Sequence, residues 1–400
     1  LRLQPGATDA RFGLALLAFD AGDYGLAAEH AAQLPASPAS GWLNARIAGA
    51  RGQWKQARTM LTELLAAPGV ADHQRAEALL LLGQALDRLG RPAEAFKRAM
   101  DGKALQHRLF APRAAGREGE TAKLERLAAW FESADPIPWA GAPPAGADEA
   151  IGHVFLVGFP RSGTTLLEQA LAAHPAIVTL EEAPTLADAY QEFLTSAAGL
   201  ARLAGIRPDE AARWRAHYWR VVREHGVTAA GKVFLDKAPA GTLHLALVAK
   251  LFPDAIVLFA VRDPRDVVLS CAVSAFQMNA LTYAFTTLSE TAACYGASMS
   301  LAAIYRRLVP LAWKDVRYEA LVEDFAGELA AISAFIGVEF DPAMAEVGAR
   351  DRVVRTPSAT DVRAGLTRRG LGRWRGYSRE LAPIQGVLAP WIDAFGYPPS

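Results

Sequence analysis

One stretch of the chain, residues 154–167 with the sequence VFLVGFPRSGTTLL, restricts the fold more than any other. An apolar run long enough for a buried strand leads into a glycine-containing turn, and a helix-forming segment follows. Such a strand–turn–helix unit directs backbone N–H groups and the positive end of a helix dipole at one point, where an anion can bind. The sequence therefore predicts an α/β fold with a phosphate-binding loop.

The loop departs from the nucleotide-triphosphate P-loop at one position. Gly158 and Gly163 have the spacing of G-x-x-x-x-G-K-[ST], but Thr164 occupies the position of the lysine. Without that lysine, the loop lacks the cation that contacts the β- and γ-phosphates of ATP, although it can still hold a 5′-phosphate. This departure favours a nucleotide that carries a group other than a γ-phosphate.

The first third of the chain has the pattern of a helical repeat. Gly22, Gly52 and Gly90 each stand between two helical patterns, and an alanine follows five residues after each glycine. The spacing of these glycines averages about 34 residues, so the stretch resembles tetratricopeptide repeats, which stack into arrays with a concave binding face. We expect this region to bind a protein or peptide. An ordinary helical bundle is the alternative, and repeats upstream of Leu1 are left open.

A segment rich in proline and glycine, residues 133–147, predicts irregular backbone and a domain boundary. We therefore expect helical repeats over residues 1–131, a linker over 132–150 and a second domain over 151–400. In the second domain short strand patterns alternate with helical patterns, which is typical of a parallel α/β sheet. The predicted strands are 153–158, 177–180, 233–235, 255–261 and 315–318, and the predicted helices between them are 164–173, 186–197, 209–225, 241–251 and 264–275.

Composition argues against several classes of function. Basic and acidic residues number 42 each, so no net charge favours nucleic acid or an acidic membrane surface. Cys271 and Cys294 are the two cysteines; they do not form a disulfide framework and are expected in the core. No apolar run reaches the length of a membrane span, and the histidines show no metal-ligand spacing. We expect a cytoplasmic protein without a metal.

Charged and hydroxyl side chains follow each predicted strand, at the edge where a parallel sheet binds its ligand. They are Arg161, Ser162, Thr164 and Thr165 after the first strand, Glu181 and Glu182 after the second, Asp236 and Lys237 after the third, Arg262 and Asp263 after the fourth, and Tyr318 and Glu319 after the fifth. Their succession at one edge predicts a site for an anionic ligand.

The second domain resembles sulfotransferases that use 3′-phosphoadenosine 5′-phosphosulfate (PAPS), from about residue 151 to 397. The motifs that carry the resemblance are residues 159–167 (FPRSGTTLL), 180–182 (LEE), 235–239 (LDKAP), 251–254 (LFPD), 261–270 (VRDPRDVVLS), 316–319 (VRYE) and 372–374 (GRW). The chain is most similar to the tyrosylprotein branch and to bacterial sulfotransferases fused behind tetratricopeptide repeats. The resemblance implies a P-loop-type three-layer parallel sheet, PAPS as co-substrate and an acceptor hydroxyl.

The resemblance also implies two phosphate subsites. The 5′-phosphosulfate would contact the loop residues Arg161, Ser162, Gly163, Thr164 and Thr165. Arg262 and Ser270 would hold the 3′-phosphate, which ATP lacks, so that bound ATP would leave an arginine without its anion. Tyr318 is expected near the adenine, with a half-buried strand tyrosine as the alternative. Arg373 is expected to contact a phosphate from an arginine-rich segment, residues 351–376, whose alternative is an exposed loop.

Four residues are implied in catalysis. Glu182 would take the proton of the acceptor hydroxyl, and Glu181 is the alternative base. Lys237 would stabilise charge on the bridging oxygen of the leaving nucleotide, and Ser358 would support the same oxygen. Arg161, which would hold the 5′-phosphosulfate, is the fourth.

The sequence leaves the acceptor and the oligomeric state open. The tyrosylprotein branch continues its glutamate pair with Thr-Arg, whereas Ala183 and Pro184 follow here, so this position lacks the arginine on the acceptor side. A tyrosyl peptide or protein, a glycan hydroxyl and a small phenol all remain, and the repeats favour a peptide or protein. The two alternative functions are a P-loop kinase or NTPase, and a repeat scaffold with a degenerate nucleotide fold.

Overall fold

The computed structural model describes residues 7–140, 149–346 and 368–399. The predicted catalytic residue Ser358 lies outside these described residues. So do part of the predicted linker and much of the arginine-rich segment.

The N-terminal region is built from helices that pack in pairs. Its helices are α1 (Thr8–Ala21), α2 (Tyr24–Ala32), α3 (Pro38–Ala50), α4 (Trp54–Ala66), α5 (Asp72–Arg88), α6 (Pro92–Ala114) and α7 (Glu120–Glu132). Gly22, Gly52 and Gly90 lie between the paired helices with φ of 88°, 77° and 74°. Glycine adopts this left-handed backbone without a steric cost, which confirms the three predicted turns. The assignment to tetratricopeptide repeats stays a prediction.

A short helix, α8 (Ile137–Ala140), lies within the segment that the sequence predicts to be irregular. That prediction is wrong at these residues, because a proline fits in the first turn of a helix, where its missing N–H is not needed. Trp139 is 2% exposed, and its ring centroid lies 4.9 Å from that of Phe131. The start of the linker is therefore anchored in the core.

A five-stranded parallel sheet forms the centre of the second domain, with strand order β2-β3-β1-β4-β5. The strands are β1 (Gly152–Gly158), β2 (Ile177–Glu181), β3 (Val233–Lys237), β4 (Ile256–Val261) and β5 (Ala312–Arg317). Val154 and Leu156 pack into the core on one face, and Phe155 and Val157 into the core on the other. Helices therefore cover both faces, as the resemblance implied.

The remaining helices connect and cover these strands. They are α9 (Thr164–Leu171), α10 (Ala187–Phe193), α11 (Ala197–Ala204), α12 (Pro208–Glu224), α13 (Leu245–Leu251), α14 (Pro264–Val273), α15 (Ala280–Tyr283), α16 (Leu288–Leu308), α17 (Tyr318–Glu323), α18 (Phe325–Ile336), α19 (Ser378–Leu381) and α20 (Gln385–Ala394). Short 3-10 helices occur at Pro239–His244, Ala284–Thr286, Pro342–Ala345, Arg368–Gly370, Arg373–Tyr377 and Ala382–Ile384.

The predicted strands are confirmed to within a few residues, and two of the five predicted helices differ. The helix predicted over 186–197 ends at Phe193, and α11 begins at Ala197, where Ser196 caps it by accepting a hydrogen bond from the N–H of Gly199 at 3.1 Å. The helix predicted over 241–251 begins as the 3-10 helix Pro239–His244. Cys271 and Cys294 are buried, as expected.

Helix α7 shares its core with the sheet domain. Leu124, Leu127 and Phe131 of α7 belong to the same buried cluster as Phe155 and Val157 of β1. Helix α7 packs along α16, and α5 and α6 pack on α14. Within the described ranges, no helix is both long enough and apolar enough to cross a membrane. The domain limits 1–131, 132–150 and 151–400 stay predictions.

Candidate functional site

The phosphate loop joins β1 to α9 through backbone that tolerates little change. A Cβ on Gly158 would lie 2.7 Å from the carbonyl oxygen of Ala260 on the neighbouring strand. A Cβ on Gly163, where φ is 99°, would lie 2.5 Å from Cδ2 of Tyr318. Arg161 has a φ of 73°, which is rare for a residue other than glycine and is typical of functional sites. The loop therefore has one tightly fixed shape.

The first turn of α9 follows directly after the loop. The first N–H groups of any helix lack intrahelical partners, and here the N-cap is Gly163, which has no side chain to accept from them. Ser162, Thr164 and Thr165 are 3%, 3% and 5% exposed. The loop and the start of α9 together form a buried polar cradle suited to an anion. Anion binding at these residues stays a prediction.

Arg161, Ser270 and Arg262 come together beside this cradle. Arg161 donates from Nε to Oγ of Ser270 at 2.9 Å. Arg262 donates from Nη1 to the carbonyl oxygen of Arg161 at 2.9 Å, and its guanidinium lies 4.5 Å from the ring centroid of Tyr318. The Nε of Arg262 is buried and finds no hydrogen-bond partner within the described parts of the chain. A buried cation with an unused donor fits an anionic ligand.

The guanidinium of Arg161 is therefore oriented toward Ser270. The resemblance assigned Arg161 to the 5′-phosphosulfate and Ser270 to the 3′-phosphate. The hydrogen bond between them brings the two predicted subsites into contact at this residue. This pairing joins residues that are 109 positions apart, and the sequence did not indicate it.

The glutamate pair lies at the end of β2, beside Lys237 at the end of β3. The strands pair Glu181 with Lys237 in register, and Nζ of Lys237 lies 2.9 Å from Oε1 of Glu181 and 2.8 Å from Oε1 of Glu182. The Lys237 side chain is 0% exposed, whereas that of Glu182 is 48% exposed. Glu182 has a φ of 51°, a second left-handed residue that is not glycine. The candidate base and the candidate cation are therefore already in contact.

Residues 372–377 form one wall of the site and are held by Asp266 and by Asp87. Asp266 of α14 accepts from the N–H groups of Gly372 and Trp374, each at 2.8 Å, and burial raises the pKa of Asp266 to about 6. Arg373 forms an ion pair at 3.2 Å with Asp87 of α5, which also accepts a hydrogen bond from the hydroxyl of Tyr377. The N-terminal helices therefore contact the segment in which the sequence predicted a phosphate-binding arginine.

These elements surround one cavity of about 1840 Å³. Most of the predicted site residues line it: Arg161, Gly163, Thr164, Thr165, Glu182, Arg262, Ser270, Tyr318 and Arg373. Ser162 and Lys237 are buried behind this lining. Among the described residues, no group of three or more His, Cys, Asp or Glu side chains is arranged to hold a metal ion.

Sequence reasoning missed Asp87 and the carboxylate role of Asp266. Asp87 lies in a helical pattern, where a single acid is usually a solvated surface residue, so nothing local marked it. Asp266 falls inside the motif at residues 261–270, and a buried acid two residues after an N-cap was the available signal. Tyr318 lies against Gly163 and Gly370 as well as Arg262, contacts that the sequence did not indicate; its place near the adenine stays a prediction.

Parts of the chain are similar to known sulfotransferases. Residues 153–342 match the family model described as "Sulfotransferase family". An uncharacterized protein of Aquifex aeolicus is 23% identical over 59% of this chain and 32% of its own length, so the match spans about a third of that relative. The protein-tyrosine sulfotransferase 1 of Danio rerio is 26% identical over 62% of this chain and 72% of its own length.

Among solved structures, the sulfotransferase domain of the Synechococcus PCC 7002 olefin synthase is similar to this chain. It is 23% identical, with a TM-score of 0.37, and the match covers 59% of this chain and 97% of that domain.

Proposed function

We propose that the sulfotransferase domain matched at residues 153–342 moves a sulfuryl group from PAPS to an acceptor hydroxyl. The family match supports sulfotransferase function. The donor, the acceptor and the roles of individual residues are the proposal. The observation that carries it is the contact of Arg161, Arg262 and Ser270 beside a phosphate loop that lacks the P-loop lysine.

A donor with two separate anionic groups fits this arrangement. The cradle of Ser162, Gly163, Thr164 and Thr165 would hold the 5′-phosphosulfate, and the pair Arg262 and Ser270 would hold the 3′-phosphate. The buried Nε atoms of Arg262 and Arg373 lack partners in the described ranges and would gain them from such a ligand. ATP offers no 3′-phosphate, so the site would bind it less well.

The transfer itself needs a base and stabilisation of the leaving group. Glu182 would remove the proton of the acceptor hydroxyl while its oxygen forms a bond to sulfur. The bond between sulfur and the bridging phosphate oxygen would break, and 3′,5′-bisphosphoadenosine would leave. Lys237 would stabilise the charge that develops on that oxygen, as a preorganised cation does in phosphoryl transfer. Ser358 remains a prediction for the same oxygen, outside the described residues.

Tyrosine of a peptide or protein is the acceptor that the relatives favour. The Danio rerio relative is named a protein-tyrosine sulfotransferase. Against this, Ala183 and Pro184 follow the glutamates here, and neither can supply the arginine of that branch. A cytoplasmic location and a peptide-binding role for the helices remain predictions.

Nucleotide binding tests the proposal. Calorimetric titration with 3′,5′-bisphosphoadenosine and with ATP plus Mg²⁺ should give tight binding of the bisphosphate and weak binding of ATP. The reverse order would favour a kinase or NTPase. Incubation with labelled PAPS and tyramine, followed by detection of the sulfated phenol, then separates an active enzyme from a scaffold with a degenerate nucleotide fold.

A further inference from the structure

We infer that Asp87, a residue of the N-terminal helix α5, is a positioning residue for the nucleotide: it holds the guanidinium of Arg373 in the orientation in which that group binds a phosphate. This role rests on the proposed function, because PAPS is the ligand that Arg373 would contact. It makes the N-terminal helices part of the nucleotide site. Three features support it: the contacts of Asp87, the unpaired Nε of Arg373 and the place of Asp87 in its own helix.

Both carboxylate oxygens of Asp87 contact the wall formed by residues 372–377. Oδ2 lies 3.2 Å from Nη2 of Arg373, and Oδ1 accepts a hydrogen bond from the hydroxyl of Tyr377. The guanidinium of Arg373 also lies 5.6 Å from the ring centroid of Tyr377. The side chains of Asp87 and Arg373 are 21% and 28% exposed, so solvent screens this ion pair less than a pair on the surface. The carboxylate therefore fixes one edge of the guanidinium.

The pairing with Asp87 leaves another part of the Arg373 guanidinium for a ligand. Arg373 lines the cavity, and its Nε is buried without a hydrogen-bond partner among the described residues. The N–H groups of a guanidinium form a rigid planar fork, so an anion that fixes Nη2 also fixes the direction of the Nε–H. A buried N–H without a partner is costly, and a phosphate oxygen would satisfy it. Asp87 and the phosphate thus use different N–H groups of one arginine.

The contacts of Asp266 with the same wall leave the Arg373 side chain free to turn. Asp266 accepts from the backbone N–H groups of Gly372 and Trp374, on either side of Arg373, and so holds the main chain. An arginine side chain loses rotamer freedom when it binds a ligand. A side chain that is already held in its bound orientation loses less, so the affinity for the ligand rises. Asp87 supplies this orientation.

Helix α5 gives Asp87 a rigid support. Gly83 and Gly102 let α5 and α6 approach closely: a Cβ on Gly83 would lie 2.9 Å from the carbonyl oxygen of Ala95, and one on Gly102 would lie 2.9 Å from that of Ala76. Both helices pack on α14, which carries Ser270 of the proposed 3′-phosphate subsite. Asp87 is therefore held in place relative to the nucleotide site, as a positioning residue must be.

Asp87 does not stabilise its own helix. It is the second-last residue of α5, where the negative end of the helix dipole disfavours a carboxylate. Within the described ranges, its carboxylate contacts Arg373 and Tyr377, which lie outside the N-terminal helices. The position of this acid is thus explained by what it binds in the second domain.

The charge of Asp87 has a competing effect of opposite sign. A carboxylate beside the cavity repels an anionic ligand, so its removal would strengthen phosphate binding if charge alone mattered. Loss of the orientation of Arg373 would weaken binding. The direction in which nucleotide affinity changes therefore decides between repulsion and positioning.

Three variants isolate the role of Asp87. Asp87→Asn keeps the volume and an acceptor for Tyr377, and removes the charge that holds Arg373. Asp87→Glu keeps the charge and is the conservative rescue. Glu132→Gln is the matched control, because the same change from acid to amide breaks the 2.8 Å ion pair of Glu132 in α7 with Arg307 in α16. That pair also joins an N-terminal helix to the second domain, and neither residue is among the described residues that line the cavity.

Calorimetric titration with 3′,5′-bisphosphoadenosine should give a dissociation constant about three- to tenfold higher for Asp87→Asn than for wild type. Glu132→Gln should match wild type, and Asp87→Glu should recover most of the affinity. The KM for PAPS should rise with the dissociation constant, while kcat at saturating PAPS and tyramine is preserved. In an Arg373→Gln background, Asp87→Asn should weaken binding no further, because the residue through which Asp87 acts is gone.

Equal or tighter binding of the bisphosphate by Asp87→Asn would overturn the inference and leave the proposed function standing. The same loss with and without the Arg373 side chain would also overturn it, because Asp87 would then act on the fold alone. Thermal unfolding without nucleotide checks folding. If Asp87→Asn does not fold, Tyr377→Phe, which removes only the hydroxyl that holds Asp87, decides in its place, and wild-type affinity there would count against the role. Absence of binding by wild type would remove the proposed nucleotide and this role with it.

Discussion

The ammonium of Lys237 lies 2.8 Å from the carboxylate of Glu182, so the candidate base and the candidate leaving-group cation form an ion pair. The same ammonium contacts Glu181 at 2.9 Å. A buried lysine thus fixes two carboxylates at the edge of the sheet, and only one of them, Glu182, is among the described residues that line the cavity.

Glu182→Gln should lower kcat by about 10²–10⁴-fold, the usual contribution of a general base. Glu181→Gln should lower it much less, because that side chain supports Lys237 and does not reach the acceptor. Initial rates at saturating PAPS and tyramine decide between the two. A larger loss in Glu181→Gln would move the role of base to Glu181.

Lys237→Met should lower kcat by roughly 10²–10³-fold while the affinity for 3′,5′-bisphosphoadenosine changes little, because charge on the leaving oxygen develops only during transfer. Methionine fills the buried volume of the lysine stem. Single-turnover rates and calorimetric titration separate the two effects. Equal losses in rate and in nucleotide affinity would show that Lys237 binds the ground state.

Arg262→Ala should weaken nucleotide binding far more than it lowers kcat, the reverse of Lys237→Met. Loss of a charged hydrogen bond of about 1.5–3 kcal/mol should weaken binding of 3′,5′-bisphosphoadenosine roughly ten- to hundredfold. Binding of AMP, which lacks the 3′-phosphate, should change far less. Because Arg262 also donates to the backbone of Arg161 and Gly370, thermal unfolding of the variant is the control for folding. A similar loss for both nucleotides would contradict a 3′-phosphate role.

Gly163→Ala should lower the free energy of unfolding by about 1–3 kcal/mol and weaken nucleotide binding, because φ is 99° and the new Cβ would overlap the ring of Tyr318. The double variant Gly163→Ala with Tyr318→Ala removes the overlap and keeps the backbone strain. Urea unfolding of both variants and of Tyr318→Ala separates the loss of stability caused by the overlap from the loss caused by backbone strain. Full stability in Gly163→Ala would mean that the loop relaxes.

The buried side chain of Lys103 predicts that the stability of the protein depends on pH. Its side chain is 0% exposed, its Nζ has no hydrogen-bond partner in the described chain, and burial lowers its pKa to about 8. The folded protein therefore releases this proton before the unfolded chain does, and the contribution of Lys103 to stability rises between about pH 8 and 10.5, by up to about 3 kcal/mol.

Lys103→Met should accordingly be more stable than wild type at pH 7, and the difference should shrink as the pH rises. Burial raises the pKa of Cys271 and Cys294 to about 12, so these thiols act in the opposite direction in both proteins. Lys103 also lowers the pKa of Cys271, so the difference between the two unfolding curves reports Lys103 together with this coupling. A difference that is constant from pH 7 to 10.5 would mean that the amine is already paired.

Much of the fold and of the site was predictable, because both depend on local sequence. The buried runs that form β1 and β4 end where polar residues begin, and parallel strands bring those ends to one edge. The glycines at 22, 52 and 90 marked turns because few other residues adopt their backbone. Arg161 and Ser270 were both selected, although their hydrogen bond was not.

The parts that were missed depend on distant contacts. Asp87 pairs with Arg373 and Tyr377, almost 300 positions away, and no local pattern records such a pairing. The proline-rich segment forms helix α8, in which Trp139 packs on Phe131. Lys237 is covered by the glutamates because β2 and β3 pair in a register that only the folded sheet fixes.

The shared core of α7 determines how such a protein can be recombined. Leu124, Leu127 and Phe131 stay buried only while the sheet domain covers them. A chimera that joins a foreign helical array to the sheet domain at the proline- and glycine-rich segment would leave these side chains exposed to solvent. The suitable crossover lies before α7, in residues 115–119, so that α7 stays with the sheet domain.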